Sequence, residues 1–265
     1  DWDLVKNNLI LLSDLLTFNL FPQEKLKDIP DHFFNNPIFC LKVLSYYNPP
    51  FEKINENFFK DPNFLMEIAS KYPYNLKNIP AKYINIDLIN WYVDIHSNQR
   101  DFMKYIPLEQ IDENCAIKIL NNNTKDYHFI SNKFSNISFY NKLSDNVISS
   151  IYSKLPIAIK KDQSILERAL INTPSNFSFA PSKFYNDKSF ADLLKINPLI
   201  YKHAPTELKN NFENSLFAVT KDLSNLEYLD NLRFDLEFFI ACQNNLSTQL
   251  PEYYQYFGKN IFADE

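Results

Sequence analysis

From Asp61 the apolar residues fall at Phe64, Leu65, Ile68, Ala69 and Tyr72, offsets of 3, 4, 7, 8 and 11 that line one face of an amphipathic helix. Asn63, Glu67, Ser70 and Lys71 take the opposite face. Asp61 suits the N-cap, where its carboxylate accepts a backbone N–H, and Pro62 suits the first helical position, where a missing N–H is no loss. Tyr72–Pro73 ends the helix, because a residue before proline is disfavoured in the α region. A short apolar turn, Ile54 to Phe59, precedes it, and Leu76 to Pro80 opens the next round. The segment 25 positions earlier aligns without a gap: Ile29, Phe33, Phe34, Pro37, Phe39, Ser45 and Tyr47 match Ile54, Phe58, Phe59, Pro62, Phe64, Ser70 and Tyr72, with Asn36 in place of Asp61. Self-similarity at a fixed spacing of this size predicts stacked repeats.

The same pattern continues along the chain. Residues 3–21 predict one helix, with Asp3 as its cap and an apolar surface nearly all round, forming an N-terminal layer over 1–29. Regular repeats are expected over 30–130. The third helix carries Leu88, Ile89, Trp91, Tyr92, Val93 and Ile95; the fourth is capped by Asp112 and carries Cys115, Ala116, Ile119 and Leu120. Residues 131–161 break the regularity, with helical patterns near Ile137–Leu143 and Val147–Leu155, and predict an insertion or change of direction. A second repeat block, 162–265, resumes with Asp162, Ile165, Leu166, Ala169 and Leu170. Asp187 is expected to cap Phe190 to Leu194, Leu208, Asn211, Leu216 and Ala218 follow, and Phe238 to Cys242 make the last helix. No stretch alternates with period two long enough to predict a sheet. The fold expected is all-α: one domain, an α-solenoid of stacked helical hairpins with a spacing of about 25 residues, each burying its face against its neighbour.

Composition narrows the function classes. The 265 residues are 45% hydrophobic and 16% aromatic, ample for a core. Net charge is −5 and is spread along the chain, with Arg100, Arg168 and Arg233 the three arginines, so bulk charge recruits neither nucleic acid nor an anionic membrane. A single glycine, Gly258, excludes the P-loop, the dinucleotide-binding turn and the G-x-S-x-G elbow. Cys40, Cys115 and Cys242 lie far apart in apolar stretches and read as buried free thiols of a reducing, cytosolic setting. His32, His96, His128 and His203 fall in different repeats, and no Cys/His spacing predicts a metal; neither a cofactor nor a catalytic group is called. No run predicts a signal peptide or membrane span. The chain begins with Asp rather than Met and stops as a further short helix starts, so the array is expected to be part of a larger protein.

Positions that such a stack leaves exposed are the candidates for binding. Offsets 2, 6, 9 and 10 of the capped helix give Lys42 and Tyr46, Glu67 and Lys71, and Lys118 and Asn122, a ribbon of mixed charge with an aromatic, and Trp91 is the candidate anchor. Such a ribbon suits a protein or peptide partner. Against this stand an ordinary solvated helix face and, for Trp91, a core role.

The junction boxes LKDIP (26–30), LKNIP (76–80), MKYIP (103–107) and YKHAP (201–205) resemble those of short bacterial helical repeats of unknown function, found in effector-like proteins of intracellular bacteria. In that group an apolar-x-x-apolar-Pro box leads through a short helix into a capped helix with a small or Cys residue inside, as at Cys40, Cys115 and Ala218. Ile54–Asn55, Ile130–Ser131 and Leu229–Asp230 depart from it by lacking the proline. The resemblance implies a non-enzymatic interaction scaffold, the recognition part of an effector acting inside a host cell, and brings no catalytic residue. SKLPIAI (153–159) and KINPLIY (195–201) also resemble mitochondrial transcription-termination-type repeats, which wrap nucleic acid; the acidic balance opposes that reading. Three expectations follow: a protein-binding scaffold first, a nucleic-acid-binding solenoid second, and an enzyme with a site built across repeats third.

Overall fold

The computed structural model describes residues 5–18, 20–47, 51–71, 76–77, 79–96, 102–246 and 255–257; the side chains of Tyr46, Phe51, Lys71 and Phe102 are outside that description. The described residues are mostly helical, with no strand among them. By contacts the chain divides into two compact units, Asp1–Phe134 and Ser135–Glu265. That division falls inside the stretch 131–161, where the pattern loses its regularity.

The first unit carries five longer helices: α1 (Leu9–Thr17), α2 (Pro37–Tyr46), α3 (Pro62–Lys71), α4 (Ile86–His96) and α5 (Glu113–Asn122). Each packs on the next. The second carries α6 (Ile137–Lys142), α7 (Asp145–Ile151), α8 (Gln163–Asn172), α9 (Asp187–Ile196), α10 (Phe212–Lys221) and α11 (Leu236–Asn245). Here α7 packs on α8, α8 on α9, α9 on α10 and α10 on α11. Helices α2 to α5 start at residues 37, 62, 86 and 113, and α8 to α11 at 163, 187, 212 and 236.

The connecting boxes form 3-10 turns, and their spelling explains why. In Leu26/Ile29, Leu76/Ile79, Met103/Ile106, Phe177/Ala180 and Tyr201/Ala204 the two apolar residues are three apart, and both members of every pair are buried. A 3-10 helix has three residues per turn, so i and i+3 fall on one edge. The second residue of each pair donates its N–H to the carbonyl of the first, as in Ala204 to Tyr201 at 3.1 Å. The following proline opens the next turn with φ already set and no donor lost. In the second unit the successive 3-10 segments Tyr152–Lys154, Pro174–Phe179, Pro198–His203 and Leu223–Tyr228 pack in a row of their own. Leu226 and Leu229 make the same buried pair without the proline.

Capping follows the expected spelling with two changes. Asn36 Oδ1 accepts from Phe39 N at 3.1 Å, Asp61 Oδ1 from Asn63 N at 2.9 Å, Asp112 Oδ1 from Cys115 N at 2.7 Å and Asp162 Oδ1 from Ile165 N at 3.1 Å. At α9 the cap is Asn186, which accepts from Ser189 N, and Asp187 is the first helical residue. The expected helix over 3–21 is the shorter α1, capped by Asn8; Asp3 lies outside the described residues.

The core positions at offsets 3, 4, 7 and 8 are buried in α2, α3, α5 and α8, and Cys40, Cys115 and Cys242 are buried free thiols. In α10 those offsets fall on Asn214, Ser215, Ala218 and Val219, all buried, while Leu216 is only half-buried. Two polar side chains therefore occupy core positions, and each is bonded: Ser215 donates to the Lys209 carbonyl at 2.7 Å and accepts from Tyr201 Oη at 3.0 Å, and Asn214 Nδ2 donates to the Asp187 carbonyl. Such partners are what make buried polar groups tolerable.

Two adjacent junction positions of the second unit carry buried polar side chains in alternate segments. Tyr152, Asn176, Tyr201 and Asn225 are each buried within successive 3-10 segments. The tyrosines reach forward, Tyr152 Oη to the Lys160 carbonyl at 3.4 Å and Tyr201 Oη to that of Lys209 at 3.1 Å. The asparagines reach back to two carbonyls each. Asn176 Nδ2 donates to Ser149 and Ala169, and Asn225 Nδ2 to Pro198 and Ala218. Identical bonds thus recur at every second segment.

Candidate functional site

The first unit contains a cleft of about 280 Å³ between α3 and α4, and every residue lining it lies within that unit. Its apolar surface comes from Phe59, Pro62, Leu65, Met66 and Leu88; Lys60, Lys82, Tyr83, Asn85 and Asp87 supply the polar part. Local sequence builds each wall. Pro62 and Met66 are four residues apart on one face of α3, as expected for neighbours on a helix. Asn85 caps α4 by accepting from Leu88 N at 2.9 Å, which fixes where Asp87 and Leu88 begin the opposite wall.

At the mouth, the Lys82 ammonium and the Tyr83 hydroxyl both donate to the same carboxylate oxygen of Glu56. The Tyr83 ring is stacked on buried Phe59, centroids 5.6 Å apart and planes at 18°, and Lys82 Nζ lies 4.9 Å from the Tyr83 ring centre. The Lys82 bond, and then the Tyr83 bond, hold the Glu56 carboxyl below its usual range, and Glu56 in turn raises Lys82. Partial desolvation, followed by the Glu56 bond, pushes the Tyr83 phenol up. Lys60 donates to Asn57 Oδ1 at 3.0 Å. A second cleft, in the second unit, is lined by Thr206, Leu229, Asp230, Asn231, Arg233 and Phe234 and measures about 320 Å³.

Of the binding residues expected from sequence, some turn toward neighbouring helices. Lys42 Nζ donates to Ser13 Oγ at 2.7 Å, joining α2 to α1. Lys118 pairs with Asp94 at 2.6 Å and donates to the Asn90 carbonyl at 3.3 Å, joining α5 to α4. Glu67 and Asn122 are exposed. Trp91 is half-buried, one turn beyond cleft-lining Asp87 and Leu88 on α4. The side chains of Tyr46 and Lys71 lie outside the described residues. Sequence reasoning passed over Glu56, Lys82 and Tyr83. They sit in junctions on either side of α3, and a comparison of junction residues at a separation of 26 or 27 would have paired them.

The three cysteines are buried, and His96 and His203 are at least partly so. Burial pushes the Cys40 thiol up to about 12, Cys115 to about 11 and Cys242 to about 12, the opposite of nucleophilic activation. His96 is buried with Nε2 2.7 Å from the Ala69 carbonyl. Partial burial, then Lys202 and Lys209, lower His203. Among the described residues no group of three or more His, Cys, Asp or Glu could hold a metal ion, and no helix is long and apolar enough to cross a membrane.

The family described as a domain of unknown function, DUF4116, matches residues 192–233, from the middle of α9 through α10 to the 3-10 segment Asn231–Phe234. The match takes in Asn197, Tyr201, Ser215 and Asn225. No curated protein and no solved structure matches the chain.

Proposed function

We propose that the chain is a non-enzymatic interaction scaffold, an α-solenoid of hairpins spaced by about 25 residues, whose α3–α4 cleft receives a protein or peptide. The solenoid reading is supported by the helix starts and by ties that span one spacing: Lys53 to the Lys27 and Ile29 carbonyls, His96 to Ala69, Asn197 to Leu170 and Asn214 to Asp187. The observation that carries the binding reading is the cleft, an apolar floor with a few convergent polar groups at its mouth. A reducing intracellular setting, as the recognition part of an effector-like protein, belongs to the same proposal.

The nucleic-acid reading has less support, because many cations already have partners. Lys133 donates to the carbonyls of Leu108, Glu109 and Ile111, Arg168 pairs with Asp145, and Arg233 donates to those of Leu229 and Glu227. Phosphate neutralisation needs free cations in a continuous run. The test is capture from a lysate of the source organism or its host, with and without nuclease, comparing wild type with Met66→Glu and Trp91→Ala. A protein captured in both conditions and lost with Met66→Glu is the expected result. Capture that nuclease abolishes would move nucleic acid to first place.

A further inference from the structure

The arrangement at the cleft mouth is a carboxylate site with a carboxylate already in it. Two donors of different kinds, an ammonium and a phenol, converge on one Glu56 oxygen. The phenol is held by a ring stacked on buried Phe59, so it is positioned before any ligand arrives. Glu56 and Lys82 are well exposed, at 59% and 63% of their side chains. Exposed ion pairs of this kind contribute little to stability and exchange readily. Lys82 and Tyr83 line the same cleft as apolar Phe59, Leu65, Met66 and Leu88, and Lys60 adds a second lining cation against one lining acid, Asp87.

We infer that Lys82 and Tyr83 form a clamp for the free C-terminal carboxylate of a partner peptide, whose last, apolar side chain enters the α3–α4 cleft, and that Glu56 is the internal competitor which holds the clamp in the empty protein. This deepens the scaffold reading and rests on it. The cleft is small beside sites that enclose whole ligands, which fits one terminal residue rather than a long segment. Capture of a chain end by oriented donors is an established mode of peptide recognition. A charge-assisted bond to an incoming carboxylate replaces the one to exposed Glu56, whose carboxylate returns to water, while the apolar side chain enters the cleft.

The probe is a fluorescein-labelled hexapeptide ending in leucine with a free carboxylate, compared by fluorescence polarisation with the same peptide as its C-terminal amide, on the full chain. Wild type should prefer the acid by about tenfold or more, the scale of a hydrogen bond to a charged group. Lys82→Ala should weaken the acid about tenfold and leave the amide unchanged. Glu56→Ala should tighten it, about threefold or more, by removing the competitor. A residue pair that merely ties two repeats together would give the opposite sign for Glu56→Ala, or none. Circular dichroism establishes that each variant retains its helix. Equal binding of acid and amide, no binding of either, or weakening by Glu56→Ala would overturn the clamp. Should the lysate capture still succeed and depend on Met66, the scaffold reading stands while the clamp falls.

Discussion

Asn176 and Asn225 each hold two carbonyls, a buried one in the preceding longer helix and one 27 positions back. Removing such an amide takes two bonds at once, although the Ala169 carbonyl keeps Ser149 Oγ and the Ala218 carbonyl keeps Asp222 N. Asn176→Ala and Asn225→Ala should each cost about 1–3 kcal/mol, measured as the shift in urea midpoint at constant slope. A change below about 0.5 kcal/mol would mean that the carbonyls find water instead. These two roles were not legible in the sequence. Asn is common throughout this chain, and a side chain that spans a junction looks like any loop residue until the junction closes around it. The cysteines were legible, because a thiol inside a strictly apolar helical face has nowhere to go but the core.

At the element scale the helices were written plainly and their ends less so. Offsets 3, 4, 7 and 8 marked the buried face of α2, α3, α5 and α8 correctly, because helical periodicity is a property of the backbone alone. In α10 the same offsets fall on Asn214 and Ser215, and apolarity drew the reading to Leu216 instead; only the Tyr201 hydroxyl and the Lys209 and Asp187 carbonyls make polar groups acceptable there. The α9 cap shows the limit of spelling, since Asn186 and Asp187 are both good capping residues and their order is settled by backbone geometry. Asn186→Ala should therefore destabilise by about 1 kcal/mol, whereas Asp187→Ala, which removes a first-turn charge, should cost a few tenths, about 0.3–0.5 kcal/mol. Equal losses in thermal denaturation would return the cap to Asp187. The junctions were predicted as short helices. Their 3-10 form follows from apolar pairs three apart.

Across the molecule, the exposed ribbon expected from one idealised repeat proved to be partly a set of ties. Lys42 and Lys118 lie at offset 6 and cross to the preceding helix, a contact that a pattern read from a single repeat cannot contain. The α3–α4 face of the first unit is built by two neighbouring helices and their junctions: α3 supplies Met66, α4 supplies Leu88 and, a turn further on, Trp91, and two junctions supply Glu56, Lys82 and Tyr83. The sequence held every one of these residues, but their convergence depends on how one helix and its junction seat on the next.

The central claim is that the α3–α4 face touches a protein partner. The direct measurement is photo-cross-linking in lysate, with benzoylphenylalanine installed at position 66, at position 91 and, as a control, at exposed position 237 on α11. We expect one protein adduct from positions 66 and 91, none from 237, and no loss on nuclease treatment. Adducts from 237 alone, or adducts that are nucleic acid, would contradict the claim.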